Sequence, residues 1–298
     1  MDDSALQKWF EILHNGDEAA INDAATHLVM YGQAAIPGLR HAIRGKTFLT
    51  CYAAAEALAQ LGDPYALPIF LLAVNAHARK SASTQADGYF QRVDILTALA
   101  QNRPDDVIPD LLDMTLQQSV RGMARYCVRD ALAQLDHPLV ISTLMDALNH
   151  ADRDIRFAAA WTLEPRVSQP PIQTIFAEQL RNDSDETIRQ FIARIFGERK
   201  IAPATAALSA AAQHDSDWRV RLEAIFALKN IGTLDSLAVL QTHNLAEYIP
   251  LLRDLLNAES NGTDRLFAFK MLRRIGTSES LAVREDWKSR RKNDNTPY

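Results

Sequence analysis

The chain has 298 residues, 47% of them apolar, with 11 glycines, 12 prolines and a formal charge of −5. This length and apolar content can bury a sizeable core, and the scarcity of glycine and proline suits helices with short connections. The acidic balance weighs against a general nucleic-acid binder, and no run approaches the ~18 apolar residues of a membrane-crossing helix. The opening MDDSALQKWF lacks the basic end and apolar run of a secretory signal. Ile21, Ala24 and Leu28 then stand at offsets 0, 3 and 7, which share one face of a 3.6-residue helix. AAIPGLRHAIRG (34–45) predicts another helix, ahead of CYAAAEALAQLGDPYALP (51–68), where Cys51, Ala54 and Leu58 repeat the offsets.

The polar, locally basic stretch 75–91 reads as an insertion before Arg92, Ile95 and Leu99. DVIPDLLDMTL (106–116) precedes Arg125, Val128 and Leu132, and LVISTLMDALNH (139–150) precedes Arg156, Ala159 and Leu163. Arg189, Ile192 and Phe196 follow, then Arg221, Ala224 and Leu228. A helix from near Asp235, a second insertion at 242–248 and YIPLLRDLLNA (248–258) lead to Arg265, Ala268 and Leu272. SLAVREDWK (280–288) predicts one more helix, and the basic end KSRRKNDNTPY reads as frayed.

Aligned on the first of each trio, the copies are spaced by 30, 41, 33, 31, 33, 32 and 44 residues. A unit of ~30–33 residues holds two short helices and their turns. Call them helix A and helix B, B being the one that carries the aligned column. Polar turns such as HADRD, NDSDE and HDSD join them, and their aspartates can cap helix B.

This pattern resembles HEAT repeats, in particular the HEAT-like repeats named after the phycobilisome lyases. The resemblance rests on the segments at 51–68 and 125–138, on DRDIRFAAAWTL and on DSDWRVRLEAIFALKNIG. It implies an all-α fold, a right-handed α-solenoid of about eight HEAT-like helix pairs, running as a single array over residues 1–288 with a basic, disordered tail at 289–298. It also implies that the arginine column (Arg92, Arg125, Arg156, Arg189, Arg221, Arg265) pairs with acidic turn residues of its own or a neighbouring repeat. Asp152, Asp154, Asp185, Asp215 and Asp217 are expected to supply that ladder.

Little in the chain points to chemistry. None of the eight histidines is followed by Glu, so the His-Glu pairs of di-iron HEAT-repeat hydroxylases are missing. No HExxH, GxSxG, P-loop or GxGxxG occurs. Cys51 and Cys127 are the only cysteines and lie two repeats apart, which predicts free thiols and a reduced, cytoplasmic protein. No cofactor and no metal site is expected.

In HEAT arrays the B helices line the inner surface. Offsets +2, +5 and +9 point away from the buried face, and +1 borders it. The early copies place acids there: Asp23, Glu56, Asp94 and Asp130. The later ones place Trp161, Phe191, Arg194, Phe226, Phe267, Lys270 and Arg274, bordered by Tyr126 and Phe157. The expectation is a non-enzymatic scaffold that binds another protein or peptide through this face, duplex nucleic acid being disfavoured. The alternative is a subunit of a bilin lyase, or a lyase-like chaperone, holding a tetrapyrrole between Trp161 and Arg194. A HEAT-like DNA-binding protein is the third reading, set back by the acidic first half.

Overall fold

A computed structural model describes residues 3–45, 47–71, 85–119, 122–240, 244–257 and 262–293. Two compact units divide the chain, Met1–Arg166 and Val167–Tyr298. Among the described residues every regular element is an α- or 3-10 helix.

In the first unit the A helices are α1 (Asp3–Asn15), α3 (Ile36–Ala42), α6 (Pro104–Leu116) and α8 (Pro138–Ala147). The B helices are α2 (Glu18–Met30), α4 (Phe48–Gln60), α5 (Gln85–Asn102), α7 (Gly122–Gln134) and α9 (Arg153–Leu163). Each described A packs on its own B, and successive B helices pack side by side from α2 through α9. This stacking of pairs is the helical-repeat solenoid plan. The expected insertion lies outside the described residues as far as residue 84; residues 85–91 form the first turns of α5.

The second unit continues the same plan. Its helices are α10 (Pro170–Asn182), α11 (Glu186–Glu198), α12 (Thr205–His214), α13 (Trp218–Ile231), α14 (Leu234–Leu240), α15 (Ile249–Asn257), α16 (Gly262–Ile275) and α17 (Ser278–Asn293). The last helix runs past residue 288, with Lys288 reaching Glu285 at 2.8 Å and Arg290 reaching Asp286 at 2.6 Å. Such one-turn pairs support a helix even where its composition is polar. Residues 294–298 lie outside the description.

The offsets explain the packing. Every +3 residue is buried, from Ala24 to Ala268, and every +7 residue from Leu28 to Leu272 is 0% exposed. One apolar stripe per B helix therefore faces its partner A and the neighbouring pairs. Helix ends are set by side chains. Asp17 accepts from the Ala20 N–H at 2.9 Å and starts α2. Gly232, at φ 69°, closes α13 with its N–H on the Leu228 carbonyl at 3.1 Å.

Candidate functional site

The turns before α9, α11 and α13 share one construction. Asp152, Asp185 and Asp217 cap the helix by accepting backbone N–H groups of its first turn. Two residues earlier, His150, Asp183 and Asp215 accept the N–H of that capping aspartate at 2.9, 2.8 and 2.9 Å. The column arginine then folds back over the turn. Arg156 donates to the carbonyls of His150 and Ala151 (both 3.0 Å), Arg189 to that of Asp183 (2.7 Å) and Arg221 to that of Asp215 (2.7 Å). Each reaches the carbonyl six residues back, because the capped turn always brings it over the helix start. Cys51, in the same column of α4, donates its thiol to the Gly45 carbonyl, also six back, at 3.3 Å.

Arg189 goes further. Its Nε and Nη2 grip both carboxylate oxygens of Asp215 in the next turn, at 2.8 Å each. The pair is nearly buried, and the Asp215 hydrogen bond raises the Arg189 pKa. This rung is the inter-repeat pairing that the resemblance implies.

The sequence-predicted site residues separate by unit. In the first unit, Tyr126 of α7 is 50% exposed and meets Trp161 of α9 edge-on, with ring centroids 5.3 Å apart. The half-buried Trp161 carries the guanidinium groups of Arg125 and Arg129, each 4.6 Å from its ring centroid. Arg129 is also held by Asp130 at 2.6 Å and Glu164 at 3.8 Å. Phe157 is half-buried on α9. Asp130 thus anchors the aromatic cluster rather than belonging to a separate acidic surface.

Glu56 lines a pocket of about 310 Å³ with Asn22, Thr26, Tyr52, Gln60 and Arg92. Burial raises the Glu56 carboxyl pKa, opposed by the Arg92 charge. Asp94 is exposed on α5. Asp23 is exposed on α2 and 3.3 Å from His27, whose ring stacks on Trp9.

In the second unit the outward offsets do not mean exposure. Phe226 is 2% exposed, packed against α15–α17 and covered by Arg274, whose guanidinium lies 4.1 Å from the ring centroid. Arg274 is fixed by the buried Glu223 at 2.8 and 3.0 Å. Phe191 is also buried, beneath Arg194 at 5.3 Å, and Arg194 reaches Glu198 at 3.9 Å. Phe267 is half-buried against Trp218, at 6.1 Å. Only Lys270 and Arg194 of this set are exposed. An exposed aromatic patch is therefore absent among these second-unit residues, because neighbouring helices and arginines cover the rings.

Sequence reasoning passed over Arg129 and Tyr52. Arg129 stands at +4, which shares the helix face of offsets 0, 3 and 7, and Tyr52 stands at +1 of its copy, level with Tyr126 and Phe157. That shared +1 position was the available signal. Among the described residues no group of His, Cys, Asp and Glu could hold a metal ion, and no helix is long and apolar enough to cross a membrane.

Comparison with known sequences bears on the repeat. Residues 174–246 match HEAT repeats, and residues 50–75 match the PBS lyase HEAT-like repeat. The chain carries HEAT repeats. One match falls in each unit, which agrees with the shared HEAT construction of their turns and stripes. No curated protein sequence matches the chain significantly. Among solved structures it is similar to an engineered protein at 17% identity, over 97% of this chain and 82% of that one, with a TM-score of 0.34. It is similar to human deoxyhypusine hydroxylase in complex with glycerol at 19%, over 95% and 96%, with a TM-score of 0.31. It is also similar to the complex of CpcE and CpcF of phycocyanin lyase from Nostoc at 18%, over 79% and 92%, with a TM-score of 0.30. Likenesses this remote carry no argument about activity or partners.

Proposed function

We propose that this HEAT-repeat chain is a non-enzymatic scaffold that binds another protein through the B-helix face of its first unit. The observation that supports the reading is the Tyr126–Trp161 pair. A large ring half in solvent, edge-on to a second ring that two guanidinium groups hold still, is costly to leave uncovered and cheap to bury. Trp, Tyr and Arg in such a setting are favoured anchors of protein interfaces. The residues of this face are Tyr126, Phe157 and Trp161, flanked by Asp94 and Asp130; the buried Phe191 and Phe226 are not part of it. The free thiols of Cys51 and Cys127 support placing the protein in a reducing compartment such as the cytoplasm. The bilin-lyase reading stands on the repeat type alone.

Tyr126→Ala is the test, because it removes an exposed ring and leaves the arginines on Trp161. Wild type and variant serve as baits in the native cell extract, and the captured protein is then purified and titrated. The expected result is an unchanged helical circular-dichroism spectrum and a loss of about 2 kcal/mol or more of affinity, mainly through faster dissociation. Equal affinity for both baits would remove this face from the interface.

A further inference from the structure

At Arg125 the arginine ladder has a rung that the described residues do not complete. Asp215, six residues before Arg221, does two things. Its Oδ1 accepts the Asp217 N–H, and its two oxygens take the guanidinium of Arg189 from the preceding HEAT repeat. The equivalent position before Arg156 is His150. Its Nδ1 accepts the Asp152 N–H at 2.9 Å, which reproduces the first task. It cannot perform the second. An imidazole that accepts at Nδ1 carries its proton on Nε2 and has no further acceptor to offer.

The arginine left over is Arg125, one repeat earlier. Among the described residues it has no carboxylate and no carbonyl partner; its guanidinium lies over the Trp161 face instead. Stacking fixes the plane of a guanidinium and leaves its N–H edge available. That side chain lines a pocket of about 510 Å³ with Gln117, Gln118, Asp152 and Asp154. Both aspartates are engaged, Asp152 as the cap of α9 and Asp154 with Arg153 at 3.2 Å. Their charge disfavours a polyanion and leaves room for one carboxylate.

We propose that a single carboxylate of the partner protein completes the Arg125 rung, in the way that Asp215 completes the rung of Arg189. This rests on the interface reading above and gives it a polar contact, beside the Tyr126 ring and on the same two helices. The partner segment carries one Asp, Glu or C-terminal carboxylate among neutral or apolar residues. Planar, charge-assisted recognition of that kind fixes register as well as affinity.

The test first uses acetate as the carboxylate, in the full-length protein. The Arg Nε–H resonances are followed by NMR against sodium acetate and against sodium chloride at equal ionic strength. The Arg125 resonance is expected to shift saturably with acetate only, while that of Arg189 stays in place. In His150→Asp the chain supplies its own carboxylate, so the acetate shift disappears and the melting temperature does not fall. Arg125→Lys is a second variant that keeps the charge and loses the planar fork. The captured partner should bind His150→Asp and Arg125→Lys at least tenfold more weakly than wild type. An Arg125 resonance that ignores acetate, responds equally to chloride, or still shifts in His150→Asp overturns the open rung. If acetate behaves as expected but both variants keep full partner affinity, the carboxylate is not the partner's, and the assignment fails. Because the acetate arm needs no partner, failure of the rung stays distinct from failure of the Tyr126 interface.

Discussion

At the scale of single residues, two arginines in one column separate the terms of the ladder. Arg221 donates to the carbonyls of Asp215 and Ser216, and Arg189 does this kind of work and also grips a nearly buried carboxylate. Removing Arg189 leaves Asp215 charged, desolvated and without its guanidinium. Arg189→Ala should therefore cost about 3–5 kcal/mol, whereas Arg221→Ala should cost about 1 kcal/mol per hydrogen bond lost. Urea unfolding followed by circular dichroism measures both, and equal losses would deny Asp215 its special place. Cys127 gives a second prediction. Burial pushes its thiol up to about 11. The folded chain then keeps this proton longer than the unfolded chain, whose thiol titrates near ~8.5. Stability from this group is intact below that value and is lost as pH rises from there toward about 11. In the native protein at pH 8, iodoacetamide should label Cys51 well before Cys127, and mass spectrometry of the digested peptides shows the order. Rapid labelling of Cys127 would mean that the α7 interior opens readily.

At the scale of helices, Gly197 reports how closely two B helices approach. It sits inside α11, and a Cβ there would lie 2.5 Å from the Ala227 Cα of α13 and 2.8 Å from its Cβ. Ala favours a helix over Gly by about 1 kcal/mol, yet the clash is with backbone, which cannot swing aside. Gly197→Ala should therefore destabilise by about 1–3 kcal/mol, the cost of overpacking, and a rise in melting temperature would show that the helices are free to part. Leu163, fully buried at the end of α9, tests the opposite fault: Leu163→Ala should cost about 2–5 kcal/mol through the cavity it leaves. These packed positions were legible in the sequence because burial on a helix follows a period, and the +3 and +7 columns state that period in every copy. The candidate site was less legible. Offsets describe one helix, but exposure depends on its neighbours. Phe226 points away from its own stripe and is still covered, by Arg274 and by α15–α17. Tyr126, also a large aromatic ring, stays half exposed. The rung of Arg125 was hidden for a similar reason: the deciding residue, His150, lies in the next repeat and imitates aspartate in one of its two tasks.

At the scale of the whole chain, charge and stability are both distributed by repeat. Residues 1–166 carry 14 Lys and Arg against 20 Asp and Glu, while residues 167–298 carry 18 against 17. The proposed interface thus lies on the more acidic unit, which suits a partner segment that brings a single carboxylate to Arg125 among neutral or apolar residues. Stability follows from how HEAT pairs are connected. Each pair buries its stripe on itself and its immediate neighbours, so the free energy is close to a sum of repeat and nearest-neighbour terms. A defect then weakens its own neighbourhood first. Phe196 is fully buried on α11 and meets Phe176 of α10 with centroids 6.3 Å apart. Phe196→Ala removes a large side chain at a place where the two helix pairs α10–α11 and α12–α13 pack on one another. Amide hydrogen exchange should show faster exchange across α10–α13, while α1–α4 keep their wild-type protection. The comparison is made at a denaturant concentration too low to unfold either protein. If protection falls by the same factor in α2 and α4 as in α11 and α13, the chain opens as one block. Coupling between the two units would then outweigh the nearest-neighbour terms.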